Sequence, residues 1–501
     1  MNTWPGRAAS SFECIVLAAG VLLGGLGMAA LLGAESTGWQ VAGLGAIAAA
    51  VYALATRQVR RPLLAAVFFL APVDISKAII APLTSLYFPA GPYYSPGLYV
   101  TLSQMALLAL LVAWLGHRAL LERRWPPMSR LDWIALGFMA YIWIRSVGSP
   151  QGLLSLGSAA SYSLAVIGFY VASHAIQDTS DLRLVIKASL AVLFLTVFYV
   201  ALQSITQLTL TLPGSKGLSF GATVDFGAGA TTYRPAGFMN HPNSLAHYLV
   251  IVLPPAIALC LLGPTRIPPA AWWASVVATA GGVAILLVTL SRGGWASAAL
   301  ATFVVVAVYL RKGLISRPQL ALIFVALVVC ALLVVTVYPA VLLRLTAPDN
   351  RSLESRVLLA DMAVTIIQAN PFAGVGFGDY NRAAFAYAAP LFATVTEAYQ
   401  HELHQLVVHN HFLLVAAELG IPAMLLFVYL LWRFVRLPWP LSRWQDHGTY
   451  AVAIGLSAAV VGEALFFNSD NYYADIRVYL FWLAAGVLQA LTLLADRERA
   501  K

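Results

Sequence analysis

Charged residues are scarce in this chain. Asp, Glu, Lys and Arg make up 10% of the 501 residues, whereas hydrophobic residues make up 60%. Soluble domains carry about a quarter charged residues, so this composition excludes an ordinary soluble protein and indicates many membrane spans. The basic excess, 30 Lys and Arg against 21 Asp and Glu, is explained by the loops described below. It gives no support for binding to nucleic acid.

Cysteine is also rare. Cys14, Cys260 and Cys330 all lie in apolar runs, which excludes a disulfide framework and a Cys-x-x-Cys metal site. The stretch HELH (401–404) is not a zinc-protease motif, because its histidines are three residues apart rather than four. We therefore predict no metal site and no cofactor.

Long apolar runs are abundant. A bilayer crossing needs about 20 apolar residues, and about fourteen runs (12–14) approach this length. They are 12–34, 38–56, 62–80, 98–117, 131–149, 160–177, 184–206, 243–263, 270–290, 294–310, 318–338, 410–432, 449–468 and 475–495. The first is too long for a signal-peptide core and is interpreted as a retained span. The sequence thus predicts an all-α, polytopic integral membrane protein.

The spans divide the chain into five regions. These are N-terminal transmembrane helices (1–206), a loop (207–242), central transmembrane helices (243–338), a large loop (339–409) and C-terminal transmembrane helices (410–501). Loops this long carry function more often than they merely connect. RSLESRVLLADMAVTIIQANPF, from Arg351, predicts a helix inside the large loop, because apolar residues recur at helical spacing and Pro371 follows.

Basic residues alternate between the loops. RQVRRP (57–62), HRALLERRWPPMSR (117–130), RKGLISR (311–317), WRFVRLPWPLSR (432–443) and the tail DRERAK all follow even-numbered spans. Loops 34–38, 81–97 and 150–160 contain no Lys or Arg. The positive-inside rule therefore predicts cytoplasmic N- and C-termini, with both long loops on the outer side.

Seven arginines near the outer side break this pattern: Arg234, Arg292, Arg344, Arg351, Arg356, Arg382 and Arg477. Arg292 lies in LSRGGWAS, a tight turn between two spans, so its guanidinium must sit near the membrane boundary. The planar guanidinium stays charged and bonds two phosphate oxygens at once. These arginines either snorkel to headgroups and pair with Glu354, Asp361 or Asp379, or bind an anion. For Arg234, Arg292 and Arg356 together we favour a lipid phosphate or diphosphate.

Histidines gather before the last spans, in HQLVVHNHFLL from His404. A local zinc site is disfavoured, because His409 and His411 at i,i+2 point to different sides of a helix. His411 has a structural alternative, as a residue at the helix start with Asn410 as its partner. His409 follows the arginine-rich loop, and a neutral imidazole accepts protons at ambient pH. We predict that His409 is a base opposite an anion site.

Four segments resemble the O-antigen ligase and polymerase superfamily. They are RPAGFMNHPNSLAHYL (234–249), LSRGGWAS (290–297), ESRVLLADMAVTIIQANPFAGVGFGDY (354–380) and HNHFLLVAAELGIPA (409–423). The resemblance covers residues 234–432. One departure is Ala423, where ligases often have the second glycine of Gly-x-x-Gly.

The resemblance implies a GT-C-like membrane enzyme of the bacterial inner membrane. Its expected reaction is a metal-independent, inverting glycosyl transfer on the periplasmic side, with a glycan linked to undecaprenyl diphosphate as donor. Lipid A core or a second lipid-linked glycan is the expected acceptor, so the polymerase alternative stays open. The implied catalytic residues are His409, Arg292 and Arg356. We expect substrate contacts from Arg234, Arg351, Arg344, Asn410 and His411.

Two other classes remain. A flippase for lipid-linked oligosaccharides would also need outer arginines, but it should carry polar residues through the bilayer midplane. A non-catalytic scaffold of polysaccharide assembly is the second. Formation of a new glycosidic bond would distinguish the enzyme from both.

Overall fold

A computed structural model describes residues 59–80, 98–123, 127–207, 222–225, 231–239, 241–346, 350–387, 407–438, 446–470 and 476–499. The predicted spans 12–34 and 38–56 and the HELH stretch (401–404) lie outside these residues.

Helices make up most of the described chain. They are α1 (Arg60–Leu70), α2 (Leu102–Gly116, continued by a π-helical turn, His117–Leu121), α3 (Arg130–Val147), α4 (Leu153–Ala175), α5 (Thr179–Thr206), α6 (Pro242–Leu262), α7 (Pro269–Val288), α8 (Arg292–Arg311), α9 (Arg317–Val337), α10 (Ala340–Thr346), α11 (Asn350–Ala369), α12 (Tyr380–Tyr387), α13 (His411–Leu419), α14 (Ile421–Arg436), α15 (His447–Phe466) and α16 (Ile476–Arg499). Two antiparallel hairpins accompany them, β1 (Ser76–Ile80) with β2 (Leu98–Thr101) and β3 (Ala222–Asp225) with β4 (Thr231–Arg234).

Eight of the described helices are long and apolar enough to cross a membrane. These are α2, α4, α5, α6, α7, α8, α15 and α16, and a ninth crossing results if the end of α9 and α10, bent by 102°, count as one span. The prediction of a mostly helical, multi-pass membrane protein is therefore confirmed. The count of about fourteen spans and the GT-C-like architecture stay predictions.

One predicted span, 62–80, is wrong. The helix α1 ends at Leu70, and the strand β1 begins at Ser76. Pro72 stands between them and lacks the N–H that a further helical turn would need. The backbone N–H of Asp74 then donates to the Phe238 carbonyl oxygen over 3.0 Å, so this segment folds against the stretch before α6.

The predicted span 410–432 is interrupted at Gly420. This residue has φ +88° between α13 and α14, a conformation that favours glycine. A Cβ at Gly420 would lie 2.2 Å from the Phe372 carbonyl oxygen. The break is therefore shaped by close approach of the chain that follows α11.

The helices α6, α15 and α16 form the buried centre of the bundle. Glycines let their backbones approach neighbouring helices closely, as is common in membranes. A Cβ at Gly455 of α15 would lie 2.3 Å from Cα of Pro255 in α6, and one at Gly486 of α16 would lie 2.5 Å from the Phe169 carbonyl oxygen. The start of α6, the end of α15 and the start of α16 meet at one end of the bundle, here called the site end.

Candidate active site

Four arginines line one cavity of about 200 Å³ at the site end. They are Arg234 at the end of β4, Arg292 at the start of α8, Arg344 on α10 and Arg356 on α11. The other lining residues are Asn243, Leu290, Ser291, Gly293, Phe466 and Ser469. Guanidinium groups from four elements around one space favour an anionic ligand with several oxygens. We call this space the arginine cavity.

Arg292 and Arg344 fix each other in place. Nε of Arg292 donates to the Arg344 carbonyl oxygen (2.9 Å), and Nε of Arg344 donates to the Leu290 carbonyl oxygen (3.2 Å). Leu290 has φ +54° and turns the chain between α7 and α8. The Ser291 side chain then caps α8 by accepting from the Gly294 N–H. The cavity wall thus includes the N-terminus of a 20-residue helix, whose positive dipole end also favours an anion.

Arg234 is buried and held from two sides. Its Nε donates to the Thr289 carbonyl oxygen (2.7 Å), and its Nη2 donates to Oδ1 of Asn243 (2.9 Å). Burial, followed by the charge of Arg344, lowers the pKa of the Arg234 guanidinium to about 10. Like charges therefore crowd the cavity wall, and a bound anion would relieve that repulsion.

Arg356 is carried by a small hydrophobic core separate from the main bundle. Its members are Leu359, Met362, Ala363, Ile366, Tyr380, Ala383, Ala384, Val407, Val408, Leu414 and Ala417. This core joins α11 to the segment that ends at His409. Packing therefore places Arg356 and His409 relative to each other. Arg351 lies in the first turn of the same helix, and its side chain is outside the described part of the structure.

His409 faces a carboxylate. Its Nδ1 lies 3.5 Å from Oδ1 of Asp470, which follows α15. The other oxygen of Asp470 accepts from Nη1 of Arg477 over 3.1 Å. Burial alone would raise the pKa of Asp470, but the charge of Arg477 and hydrogen bonds from His247 and His409 outweigh it and hold that pKa well below its ordinary value. Asp470 is thus an ionised group behind the imidazole.

The His409–Asp470 pair adjoins the arginine cavity without lining it. Nδ2 of Asn243 lies 3.5 Å from Oδ2 of Asp470, and Oδ1 of the same amide accepts from Arg234. Ser469, the neighbour of Asp470, lines the cavity. One amide and one carboxylate therefore separate the imidazole from the nearest cavity guanidinium.

Asn410 and His411 hold the backbone of this pair. Oδ1 of Asn410 caps α13 by accepting from the Leu413 N–H (3.0 Å), and the amide nitrogen of Asn410 contacts Asn468. The backbone N–H of His411 donates to the Phe467 carbonyl oxygen (2.7 Å). The His411 ring is buried among the aromatic rings of Phe427 and Phe467. Neither residue lines the arginine cavity, so the structural alternative describes their positions better than substrate contact does.

Residues 274–428 match the family model described as O-antigen ligase. The chain belongs to the O-antigen ligase superfamily. The matched range holds Arg292, Arg344, Arg356 and His409, whereas Arg234 and Asp470 lie outside it. No curated protein matches the chain. Membership supports a ligase- or polymerase-type function on lipid-linked glycans in general terms.

In this member of the O-antigen ligase superfamily, a glycine-rich turn supports the segment after His409. Backbone N–H groups of Val375 and Gly376 donate to the carbonyl oxygens of Ala417 and Glu418, both over 2.9 Å. A Cβ at Gly374 would lie 2.2 Å from the Glu418 carbonyl carbon. The glycines of NPFAGVGFGDY therefore let this turn pack directly on the end of α13.

Two of the seven outer arginines have the pairing that was the alternative to anion binding. Nε of Arg382 lies 3.2 Å from Oδ1 of the buried Asp379, and Arg477 pairs with Asp470. Arg234, Arg292, Arg344 and Arg356 instead converge on the cavity. Among the described residues, no group of three or more His, Cys, Asp or Glu is arranged to hold a metal ion. Metal independence stays a prediction.

Sequence reasoning missed Asp470 and Asn243. Asn243 lies inside one of the quoted family segments, two residues after a capping histidine, His241. Asp470 stands in FFNSDNYY, where a single carboxylate follows an apolar span on the predicted outer side. That position was the available signal, because an ionisable group at a span end near outer arginines suggests a partner.

Proposed function

We propose that the protein transfers a glycan from an undecaprenyl-diphosphate-linked donor to an acceptor hydroxyl. The proposed transfer is inverting and metal-independent, and takes place at the periplasmic face of the bacterial inner membrane. One observation carries the proposal: a cavity lined by four guanidinium groups lies next to an imidazole backed by an ionised carboxylate. The orientation rests on the basic loops of the sequence.

The arginine cavity would hold the diphosphate of the donor. Arg292, Arg344 and Arg356 supply charge-assisted hydrogen bonds, and Arg234 adds a buried charge. Negative charge grows on the diphosphate as the glycan leaves, so these bonds strengthen toward the transition state. Loss of one such donor typically costs about 10²–10³ in kcat.

His409 would act as the base. Its Nδ1 faces Asp470, which leaves Nε2 for the acceptor hydroxyl. Nε2 takes the hydroxyl proton while the hydroxyl oxygen bonds to the anomeric carbon from the side opposite the diphosphate. The bond between that carbon and the diphosphate oxygen breaks, and undecaprenyl diphosphate leaves with the electron pair. Asp470 stabilises the imidazolium that results.

The acceptor divides the two enzyme alternatives. A ligase uses a terminal acceptor such as lipid A core, and a polymerase uses a second lipid-linked glycan. A flippase is the remaining alternative, but it needs a polar path through the bilayer. The cavity arginines and the His409–Asp470 pair instead gather at the site end.

The test is a purified protein given a defined undecaprenyl-diphosphate-linked glycan and each acceptor separately. The expected result is a new glycosidic bond of inverted configuration, found by mass and NMR analysis, with undecaprenyl diphosphate released in equal amount. The reaction should persist in the presence of a metal chelator. Movement of donor across proteoliposomes with no new bond under any acceptor would overturn the proposal in favour of transport.

A further inference from the structure

A second histidine at the site end lies between two carboxyl groups. Nδ1 of His247 lies 3.0 Å from Oε2 of Glu463, and its Nε2 lies 3.6 Å from Oδ2 of Asp470. The His247 ring is fully buried and stacks on Phe466, with ring centroids 3.5 Å apart. The reaction proposed above does not use His247 or Glu463 directly.

The surrounding charges limit how these groups can be protonated. Arg477 pairs with Asp470 over 3.1 Å and balances its charge. An ionised Glu463, which is also fully buried, would need a further cation, and His247 is the group in contact with it. Two additional buried charges cost several kcal/mol each before they attract one another. A neutral Glu463 with a neutral His247 avoids this cost.

Hydrogen-bond inventory then fixes the direction of each contact. A neutral imidazole has one donor nitrogen and one acceptor nitrogen, and an ionised carboxylate only accepts. Because Asp470 accepts, Nε2 of His247 must carry the hydrogen that points to it. Nδ1 is then an acceptor, and the group facing it, Glu463, must donate.

We propose that Glu463 is kept as a neutral carboxylic acid whose O–H donates to Nδ1 of His247. This bond fixes the tautomer of His247 whose Nε2–H supports Asp470. His247 and Glu463 are therefore positioning residues for the His409–Asp470 pair. Their effect on turnover rests on the proposed function, whereas the protonation of Glu463 does not.

Infrared difference spectroscopy tests the protonation directly, on resting protein without substrate. Wild type minus E463Q should show the C=O stretch of a buried carboxylic acid. Wild type minus D379N is the matched control: Asp379 is equally buried but pairs with Arg382, so only ionised-carboxylate bands should appear. A Glu463 difference spectrum with carboxylate bands alone would overturn the proposal, whatever the activity of the protein.

Turnover separates positioning from proton transfer to Glu463. E463A should lower kcat about tenfold or more, as loss of outer-shell support does for other imidazoles, with the donor KM unchanged. E463Q should restore most of that loss, because its amide N–H can donate to Nδ1 of His247. Failure of E463Q to rescue, with the variant folded by size-exclusion chromatography, would contradict positioning. If no variant or wild type transfers glycan, the proposed function fails and the infrared result still decides Glu463.

Discussion

The imidazole of His409 and the carboxylate of Asp470 lie 3.5 Å apart, although they come from different ends of the bundle fold. His409 precedes α13 and Asp470 follows α15. Backbone and side-chain bonds from His411 to Phe467 and from Asn410 to Asn468 tie the two segments together. A carboxylate behind an imidazole orients the ring and stabilises its protonated form. The two residues should therefore differ from the cavity arginines in what their loss does.

Replacing His409 should abolish turnover more than donor binding. H409A removes the proposed base, which typically contributes about 10²–10⁴ in rate, but leaves the arginine cavity intact. We expect kcat to fall by that order while affinity for the lipid-linked donor changes little, measured by single-turnover transfer and by equilibrium binding. H447A, an exposed histidine at the opposite end of α15, is the control. Near-normal transfer by H409A would contradict the role of His409.

Asp470 should make stability depend on acidity. Its folded pKa is held well below the ordinary value, since the charge of Arg477 and two histidine hydrogen bonds outweigh burial. A lowered folded pKa contributes stability above the unfolded pKa, about 3.9, and that contribution is lost as pH falls toward the folded pKa. The difference in thermal stability between wild type and D470N should be full near pH 6–7 and shrink below about pH 4. A difference that stays constant down to about pH 3, with D446N as control, would contradict the lowered pKa.

The arginine cavity should bind a simple diphosphate. Inorganic pyrophosphate is expected to raise the melting temperature of the detergent-solubilised protein, because it relieves repulsion between Arg234 and Arg344. At 100 times Kd, the linkage amounts to about 2.7 kcal/mol. R292Q should weaken this response by differential scanning fluorimetry, whereas R311Q, at the other end of the same helix, should keep it. An equal response from both variants would place the anion elsewhere.

The helices of this protein were largely predictable, because the length of an apolar run is fixed by the bilayer. The predicted span 243–263 corresponds to α6 (Pro242–Leu262), and 294–310 to α8 (Arg292–Arg311). The segment 62–80 was mispredicted, because its composition is apolar while Pro72 ends the helix. Hydropathy averages over a window and does not see a single missing backbone N–H.

The gathering of the arginines was predictable, but the partner of His409 was not. Arg292 and Arg356 violate the positive-inside rule, and an unfavourable charge position already indicates a ligand. Asp470 carries no such signal by itself. Its role arises only because α15, α16 and the start of α13 converge, and sequence periodicity does not say which helix ends meet. His411 was equally undetermined, since burial among Phe427 and Phe467 is a tertiary fact.

The glycine turn behind the site should tolerate no side chain at Gly374. Gly374 and Gly313 both have φ +64°, but a Cβ at Gly374 would lie 2.2 Å from the Glu418 backbone, whereas Gly313 has open space around it. G313A should therefore cost only the left-handed backbone penalty, about 1–2 kcal/mol. G374A adds a backbone clash and should cost more than about 4 kcal/mol or prevent folding, measured by thermal unfolding and by yield of monodisperse protein. Equal losses in the two variants would mean that the turn can move away from α13. In that case the turn would not fix the end of the helix that begins beside His409.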